Sequence, residues 1–234
     1  MERMPYGEQI KALTKISKAI TSELYLDDIL RLIVAVTAEV MGSNICSLWL
    51  IDEKDKSLKL QATQTISKEY LKERSLKVGE GIVGQVAQEK KPVVILDVMK
   101  EPKYKEKALA KKEKLRSMLS VPLAVRDKVI GVINCYTSKT HKFTENEINI
   151  LTAVANQAAV AIENTELIVK TKVIQEELMS RKKIERAKGI LMKGEGLTEE
   201  GAYLKLQRYS MDHRKTMREV AEAIILAADI GKQK

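Results

Sequence analysis

The sequence predicts an α+β fold: an antiparallel sheet flanked by helices, then a long connecting helix and a bundle of three short helices. The sheet is predicted because short apolar segments alternate with polar turns, as in β-hairpins. The long helix is predicted because neither glycine nor proline occurs between Thr144 and Lys188. We expect an α+β domain over residues 8–165, a dimerising coiled-coil helix over 150–180 and a helical domain over 180–230.

Two amphipathic helices are expected before the first strand. Apolar residues at three-and-four spacing between Ile10 and Ile20 indicate the first helix. The second is expected from Asp28 to Met41, and Gly42 ends it.

Four segments of the sheet follow. Asn44–Ile51 and Leu58–Thr63 are joined by a polar turn, and the second alternates apolar with polar residues, which predicts a hairpin. Three glycines then precede a short helix, and Val93–Leu96 is expected to be a buried strand. Leu115–Tyr136 contains the turn Arg126–Lys128 between two apolar strands and predicts a second hairpin.

The helix that begins at Thr144 is predicted to run to about Met192. Thr144 and Glu147 form a capping box at its start. At 1.5 Å per residue its length is about 70 Å, more than one globular domain needs. Two arrangements fit: a parallel two-chain coiled coil, or a bent helix on its own domain. The seam of the coil would contain Ala158, Ala161, Thr165, Ile168, Val173 and Leu178.

The last quarter of the chain predicts three short helices that depend on one another for stability. Gly194 and Gly196 end the first, and Thr198 caps the second, which is expected to bury Ala202, Tyr203 and Leu206 and to end near Met211. Thr216 and Glu219 form a capping box at the start of the third. Residues 170–234 contain 15 basic and 10 acidic side chains, which suits a polyanionic partner.

Four segments within residues 8–165, GEGIVGQVA, PVVILDV, LRSMLSVPL and VIGVINCY, resemble the GAF sensor domain. The resemblance implies a small-molecule pocket between the sheet and an overlying loop segment, and dimerisation through paired terminal helices. Trp49, Met99 and Met118 are candidate lining residues, although their apolar character fits a plain core better.

The C-terminal motif R-x-x-I-x-x-A-K-G-I-L-M (Arg181–Met192), followed by the Ala202-Tyr203 pair, Arg214-Lys215 and Val220-Ala221, resembles the ANTAR family of RNA-binding antitermination domains. The resemblance implies a transcription antiterminator that binds paired RNA stem-loops in a nascent leader. One departure is His213, where the family often has Asn before the basic pair.

RNA loops are bound by cations that neutralise phosphates and by planar groups that stack on splayed bases. The last quarter contains both kinds of side chain near its two breaks. The candidate RNA-binding residues are Lys182, Arg186, Lys188, Lys193, Tyr209, His213, Arg214, Lys215 and Arg218. The expected partners are RNA stem-loops, a second copy of the chain and an unidentified small molecule.

Several other classes are disfavoured. The two cysteines cannot form a disulfide framework, and no Cys/His cluster suggests a metal or cofactor site. A phosphoacceptor receiver built on Asp52 and Asp97 needs a parallel sheet, which the hairpins exclude. The G-x-G-x-x-G at Gly79–Gly84 lacks the context of a dinucleotide site.

Neither a signal peptide nor a membrane span is visible, so a cytoplasmic location is expected. An enzyme is disfavoured because no acid, base and nucleophile occur in a recognisable motif. The main alternative is a DNA-binding transcriptional regulator with a ligand-sensing domain, since a small helix can dock in a major groove.

Overall fold

The computed structural model describes residue 14 and residues 26–43, 45–64 and 74–231. The chain forms two compact units, residues 1–166 and 167–234. The helix predicted between Ile10 and Ile20 lies outside the described residues, apart from residue 14.

The first unit contains one six-stranded antiparallel sheet with strand order β3-β2-β1-β6-β5-β4. Its elements, in chain order, are α1 (Leu26–Met41), β1 (Ile45–Ile51), β2 (Ser57–Thr63), β3 (Ser75–Lys77), α2 (Gly81–Glu89), β4 (Val93–Ile95), α3 (Lys107–Lys112), β5 (Ser117–Val125) and β6 (Lys128–Thr137). Both predicted hairpins are confirmed: β1 pairs with β2, and β5 pairs with β6.

The prediction that Val93–Leu96 is a buried strand was wrong. Strand β4 is at the edge of the sheet and has only three residues. Leu96, just beyond it, is 52% exposed. An apolar run alone does not distinguish a central strand from an edge strand, because the number of neighbouring strands is set by the topology.

The sheet separates two hydrophobic cores. Alternate residues of each strand point to opposite faces, so Cys46 and Leu48 of β1 enter one core and Trp49 enters the other. Helix α1 and the first turns of the following long helix cover the first face. The second core contains residues of helices α2 and α3 and of the segment between β4 and β5.

The long helix is confirmed as α4, Glu145–Glu195. The Thr144–Glu147 capping box forms as predicted: the amide of Thr144 donates to the Glu147 carboxylate at 2.7 Å, and the amide of Glu147 donates to Thr144 Oγ1 at 3.3 Å. Part of the predicted coiled-coil seam lies elsewhere: Ala158 and Ala161 are buried in the first core of the sheet, and Thr165 is also buried.

The second unit contains the end of α4 together with α5 (Glu199–His213) and α6 (Met217–Gly231). Both predicted caps are present: Thr198 Oγ1 accepts from the Gly201 amide at 3.1 Å, and the Thr216 amide donates to the Glu219 carboxylate at 2.8 Å. The small core of this unit contains Ala187, Leu191, Ala202, Leu206, Val220 and Ala221.

Three details of this unit differ from the sequence predictions. Gly194 is inside α4, and the chain leaves the helix at Gly196, which has a positive φ of 67°. Helix α5 ends at His213 rather than Met211. Tyr203 was predicted to be buried but is 45% exposed, because its position is one residue, or about 100°, around the helix from the buried Ala202.

Gly131 in β6 and Gly189 in α4 should respond oppositely to substitution by alanine. A Cβ at Gly131 would lie 2.2 Å from the backbone oxygen of Trp49, whereas a Cβ at Gly189 meets nothing within 4 Å. We expect Gly131→Ala to lower the free energy of unfolding by about 2 kcal/mol or more. Gly189→Ala should raise helix stability by about 0.5–1 kcal/mol.

Urea titrations measure both effects. Fluorescence of Trp49, the only tryptophan, follows the sheet, and far-UV circular dichroism follows the helices. An unchanged midpoint for Gly131→Ala would contradict the close approach of β1 and β6.

Candidate ligand pocket and nucleic-acid surface

A small pocket that opens to solvent lies on the second face of the sheet. Its lining combines aromatic, aliphatic and charged side chains from strands β1, β3 and β6, helices α2 and α3 and the segments beside them. The lining residues are Trp49, Arg74, Leu76, Gly81, Ile82, Val83, Tyr104, Lys105, Glu106, Leu109 and Tyr136. This mixture suits a small molecule that has an apolar body and a few polar groups.

The charged part of the pocket is an ion pair. Arg74 Nη1 lies 3.1 Å from Glu106 Oε2, and the Arg74 side chain is largely buried. The pair connects Arg74, the residue directly before β3, to Glu106, the residue directly before α3. A polar ligand entering here would meet a guanidinium and a carboxylate already held in place by each other.

Beneath the pocket, three buried polar side chains form a ladder across β1, β6 and β5. Asn134 Nδ2 donates to Ser47 Oγ at 3.1 Å, and Ser120 Oγ donates to Asn134 Oδ1 at 2.7 Å. Trp49 Nε1 also donates to Ser47 Oγ, at 3.3 Å. The ladder fixes the Trp49 ring at the pocket wall, and it satisfies polar groups that would be costly to bury alone.

Of the three predicted ligand residues, Trp49 lines the pocket. Met118 is fully buried in the second core, and Met99 packs against that core, so neither is among the lining residues. Sequence reasoning missed Arg74, Tyr104, Glu106 and Tyr136. Tyr136 ends an apolar strand and could have been found by its alternation with Val132, whereas the others lie in polar segments without periodicity.

In the second unit, the turn between α5 and α6 combines an aromatic stack with basic residues. The rings of Tyr209 and His213 lie 3.9 Å apart at an angle of 15°, and Tyr209 is 53% exposed. Arg214 has a left-handed backbone conformation, with φ of 52°, and ends α5. Its amide donates to the carbonyl of Met211, and the amide of Lys215 donates to that of Ser210. These bonds hold the basic pair immediately after the stacked rings.

Eight of the nine candidate RNA-binding residues are exposed. Four of them, Tyr209, His213, Arg214 and Lys215, lie together at the α5–α6 turn. Several of the cations already have carboxylate partners: Arg186 pairs with Asp229 at 2.9 Å, Lys215 with Glu219 at 3.4 Å and Arg218 with Glu222 at 3.0 Å.

Lys188 differs from the other eight because it is buried, with 7% of its surface exposed. Its ammonium lies 2.8 Å from Glu199 and 2.9 Å from Glu185, so it joins α4 to the first turn of α5. The hydrogen bonds to Glu199 and Glu185 raise the pKa of Lys188. The hydrogen bond between Lys188 and Glu199 also lowers the pKa of Glu199. This geometry fits a structural role within the helical unit better than a phosphate contact.

Comparison with known proteins identifies a domain family in each of the two units. The sequence model of the GAF domain matches residues 23–163, more than half of the chain. The chain belongs to the GAF domain family. The model of the ANTAR domain matches residues 172–225, so a GAF domain is followed by an ANTAR domain. Both resemblances seen in the sequence are thereby confirmed, as is the fold class.

Individual relatives each cover one part of the chain. The phosphoenolpyruvate-dependent phosphotransferase system protein of Escherichia coli K12 is 28% identical over 155 residues, 66% of this chain and 21% of that protein. The transcriptional regulatory protein PdtaR of Mycobacterium tuberculosis is 43% identical over 63 residues, 27% of this chain and 31% of that protein. The chain therefore spans about a fifth to a third of the length of these relatives.

A solved GAF domain from a phosphoenolpyruvate-protein phosphotransferase of Coxiella burnetii superimposes with a TM-score of 0.62. It is 24% identical and covers 70% of this chain and 97% of that structure. At this identity the likeness supports the fold of the GAF domain alone.

Across the described segments, no group of three or more His, Cys, Asp or Glu residues could hold a metal ion. Asp52 and Asp97 follow strands β1 and β4 of an antiparallel sheet, and each accepts a hydrogen bond from a nearby backbone amide. Among the helices of the described residues, none has the length and apolar character that a membrane span requires.

Lys188→Met should destabilise the ANTAR domain, because it leaves Glu199 and Glu185 without their cation. We expect a lower melting temperature near neutral pH. The pKa of Glu199 is lowered from 4.5, so the pair stabilises the fold above that pH and this contribution is lost as the pH falls through the lowered value. The difference between variant and wild type should therefore shrink as the pH falls below 4.5.

Thermal unfolding followed by far-UV circular dichroism, at about pH 7 and about pH 3, measures the effect. Lys193→Met removes an exposed lysine from the same helix and is the matched control. Equal melting temperatures for the two variants would argue against a structural role for Lys188.

Proposed function

We propose that this chain is a transcription antitermination regulator whose ANTAR domain binds paired RNA stem-loops under the control of a small molecule in the GAF domain. The observation that carries the proposal is the exposed stack of Tyr209 and His213 immediately before the basic pair Arg214 and Lys215. We further propose that the chain acts by binding and not by catalysis.

The stacked rings support recognition of an unpaired base. Single-stranded loops are read by stacking splayed bases on aromatic side chains and by hydrogen bonds to their edges. A regular duplex keeps its bases stacked on one another and offers no such face. The Tyr209–His213 pair is held in its stacked geometry before any ligand binds, so little side-chain freedom remains to be lost on binding.

The cations beside the stack support phosphate contacts. Arg214 is exposed and fixed at its backbone by the end of α5, and its planar guanidinium suits bidentate contact with a phosphate or a base edge. Lys215 and Arg218 pair with carboxylates on exposed surface, where such pairs are weak and can exchange for phosphate. Lys182 and Lys193 lie on α4, away from this turn in the sequence, and would add general charge.

The relatives support a regulatory role. PdtaR, a transcriptional regulatory protein by name, is 43% identical over 63 residues of this chain. The Nif-specific regulatory protein of Herbaspirillum seropedicae is 24% identical over 195 residues, 78% of this chain. Both relatives are named as regulatory proteins, which supports a regulatory role.

The pocket on the second face of the GAF sheet is proposed to bind the signal molecule. Trp49, Tyr104 and Tyr136 offer apolar and aromatic surface, and the Arg74–Glu106 pair offers a polar end. A ligand that inserts between Arg74 and Glu106 would change the contacts of α3, whose first turn follows Glu106 directly. We therefore propose that the signal molecule is sensed at the Arg74–Glu106 end of the pocket.

We also propose that two copies associate as a parallel coiled coil, through the part of the segment 150–180 that follows the buried residues of the GAF core. Within residues 167–179, seven apolar side chains are each about half exposed: Leu167, Ile168, Val169, Val173, Ile174, Leu178 and Met179. Leu167, Ile174 and Leu178 follow spacings of seven and four and so share one face of α4. Several exposed apolar side chains within four turns of one helix are unusual on a monomer.

Tyr209→Leu should weaken binding to a two-hairpin RNA by about tenfold, because stacking on an aromatic ring contributes about 1–3 kcal/mol per base. Tyr209→Phe should keep nearly all of the affinity. Tyr203→Leu is the matched control: Tyr203 is an exposed tyrosine on another face of α5, and this change should have little effect.

Binding is measured by fluorescence anisotropy at about 150 mM salt, where nonspecific charge attraction is limited. The probes are a two-hairpin RNA, a single hairpin and duplex DNA of equal length. Preference for the two-hairpin RNA supports the proposal, and tighter binding to duplex DNA would favour a DNA-binding regulator. Equal binding to all three would reject both.

Ile174→Glu combined with Leu178→Glu should convert the dimer to monomer, because both carboxylates would face one another across the seam. Lys172→Glu also adds a carboxylate to this helix, at a position roughly 140° around it from Leu167, and should leave the dimer intact. Sedimentation equilibrium of the full chain distinguishes the two states. A wild-type chain that stays monomeric at all concentrations would refute the dimer.

A further inference from the structure

Cys46 and Cys135 face each other on neighbouring strands at the centre of the GAF sheet. They are direct partners in the β1–β6 register, and their sulfurs lie 3.0 Å apart. They are the only cysteines in the chain, and they are 89 residues apart in sequence. Both thiols are free and fully buried in the first core of the sheet.

The backbone at this position suits a cross-strand bond. The carbonyl of Cys46 accepts from the amide of Gln64, on the β2 side. In a strand, the N–H and C=O of one residue point to the same neighbour, so Cys46 and Cys135 form a pair without backbone hydrogen bonds. Such pairs have Cα atoms about 4.5 Å apart, within the range of about 4.4–6.8 Å that disulfides span.

The thiol pair lies next to the turn between α1 and β1. The hydroxyl of Ser43, in the turn between α1 and β1, lies 3.1 Å from the Cys46 sulfur and is itself only half-buried. Cys46 therefore contacts a side chain at the edge of the core. Burial raises the pKa of the Cys135 thiol well above its ordinary value, and the hydrogen bond with Cys46 raises it further. Cys135 therefore carries its proton at neutral pH.

We propose that Cys46 and Cys135 are a reversible redox pair, oxidised to an intramolecular disulfide by a hydroperoxide, and that the GAF domain thereby responds to two-electron oxidants. The proposal does not depend on RNA binding by the ANTAR domain. It assigns to the first face of the sheet a role separate from the ligand pocket on the second.

The reaction proceeds in two steps. The Cys46 sulfur attacks the outer oxygen of the hydroperoxide, the O–O bond breaks, and Cys46 becomes a sulfenic acid while the alcohol or water leaves. The Cys135 sulfur then attacks the Cys46 sulfur, and the sulfenic hydroxyl leaves with the Cys135 proton as water. In total, two thiols lose two hydrogens and two electrons, and the peroxide is reduced. A dithiol reductant reverses the change by thiol–disulfide exchange.

The structure favours the disulfide over further oxidation of Cys46. A sulfenic acid condenses with a neighbouring thiol when one is within reach, and Cys135 is already in contact. The sulfurs need to approach by about 1 Å to reach the bond length of about 2.05 Å. Cys46 Sγ and Cys135 Sγ project from the same face of a continuous sheet, so this approach needs no change in register.

The test treats the folded full-length chain with a small excess of hydrogen peroxide, blocks the remaining thiols and digests the protein without reductant. Mass spectrometry should find the peptide Leu32–Lys54 joined to Val129–Lys139, with the loss of two hydrogens. Treatment with dithiothreitol before blocking should release both peptides. Non-reducing electrophoresis should show a monomer-sized band, because the bond is intramolecular.

Cys46→Ala and Cys135→Ala should each lose the joined peptide completely. In Cys135→Ala, a sulfenic-acid probe should label Cys46, since no thiol remains to condense with it. The far-UV spectrum and the Trp49 fluorescence of each variant establish that it is folded. The proposal is overturned if both thiols of the folded wild type stay free under peroxide, or if the joined peptide forms only in urea.

Discussion

The fold of the GAF domain depends on the burial of both faces of its two central strands. Along β1 and β6, consecutive side chains alternate between the faces, and nearly all are buried, so the sheet needs a cover on each side. The first cover is made of long helices, α1 and the start of α4, whose apolar faces pack closely. The second is made of two short helices and irregular segments. The pocket is on this second face, and it is lined by residues of those short helices and segments.

The same alternation places different chemistry on the two faces of one strand. Cys46 and Ser47 are neighbours in β1, yet the first belongs to a thiol pair in one core and the second to a polar ladder beneath the pocket. The ladder runs through Asn134 to Ser120, so three strands share one set of satisfied hydrogen bonds. A polar group at any of these positions would be costly without its partners. The register of the sheet is thus fixed by specific contacts as well as by hydrophobic burial.

In the ANTAR domain, pairing of charges separates the basic residues into distinct roles. Lys188 is buried between two glutamates and connects two helices, while Arg186, Lys215 and Arg218 hold carboxylates on the surface. The net positive charge of the region therefore overstates the number of cations that are ready to meet a phosphate. The turn after α5 stands out because its stacked aromatic pair and the exposed Arg214 are positioned by the end of the helix itself.

The sequence alone determined both hairpins, the long helix and all three threonine caps, because these depend on local periodicity and on side-chain bonds within one turn. It did not predict strand β3 or helix α3, which are short and lie in polar segments. Its family motifs also indicated both domains. Only the tertiary structure decided that β4 is an edge strand, that Tyr203 is exposed and that Lys188 is buried, because each depends on what a neighbouring element covers. The pocket follows the same rule: Trp49 was identified from an apolar strand, but Arg74 and Glu106 come from polar segments 32 residues apart that only the fold brings together.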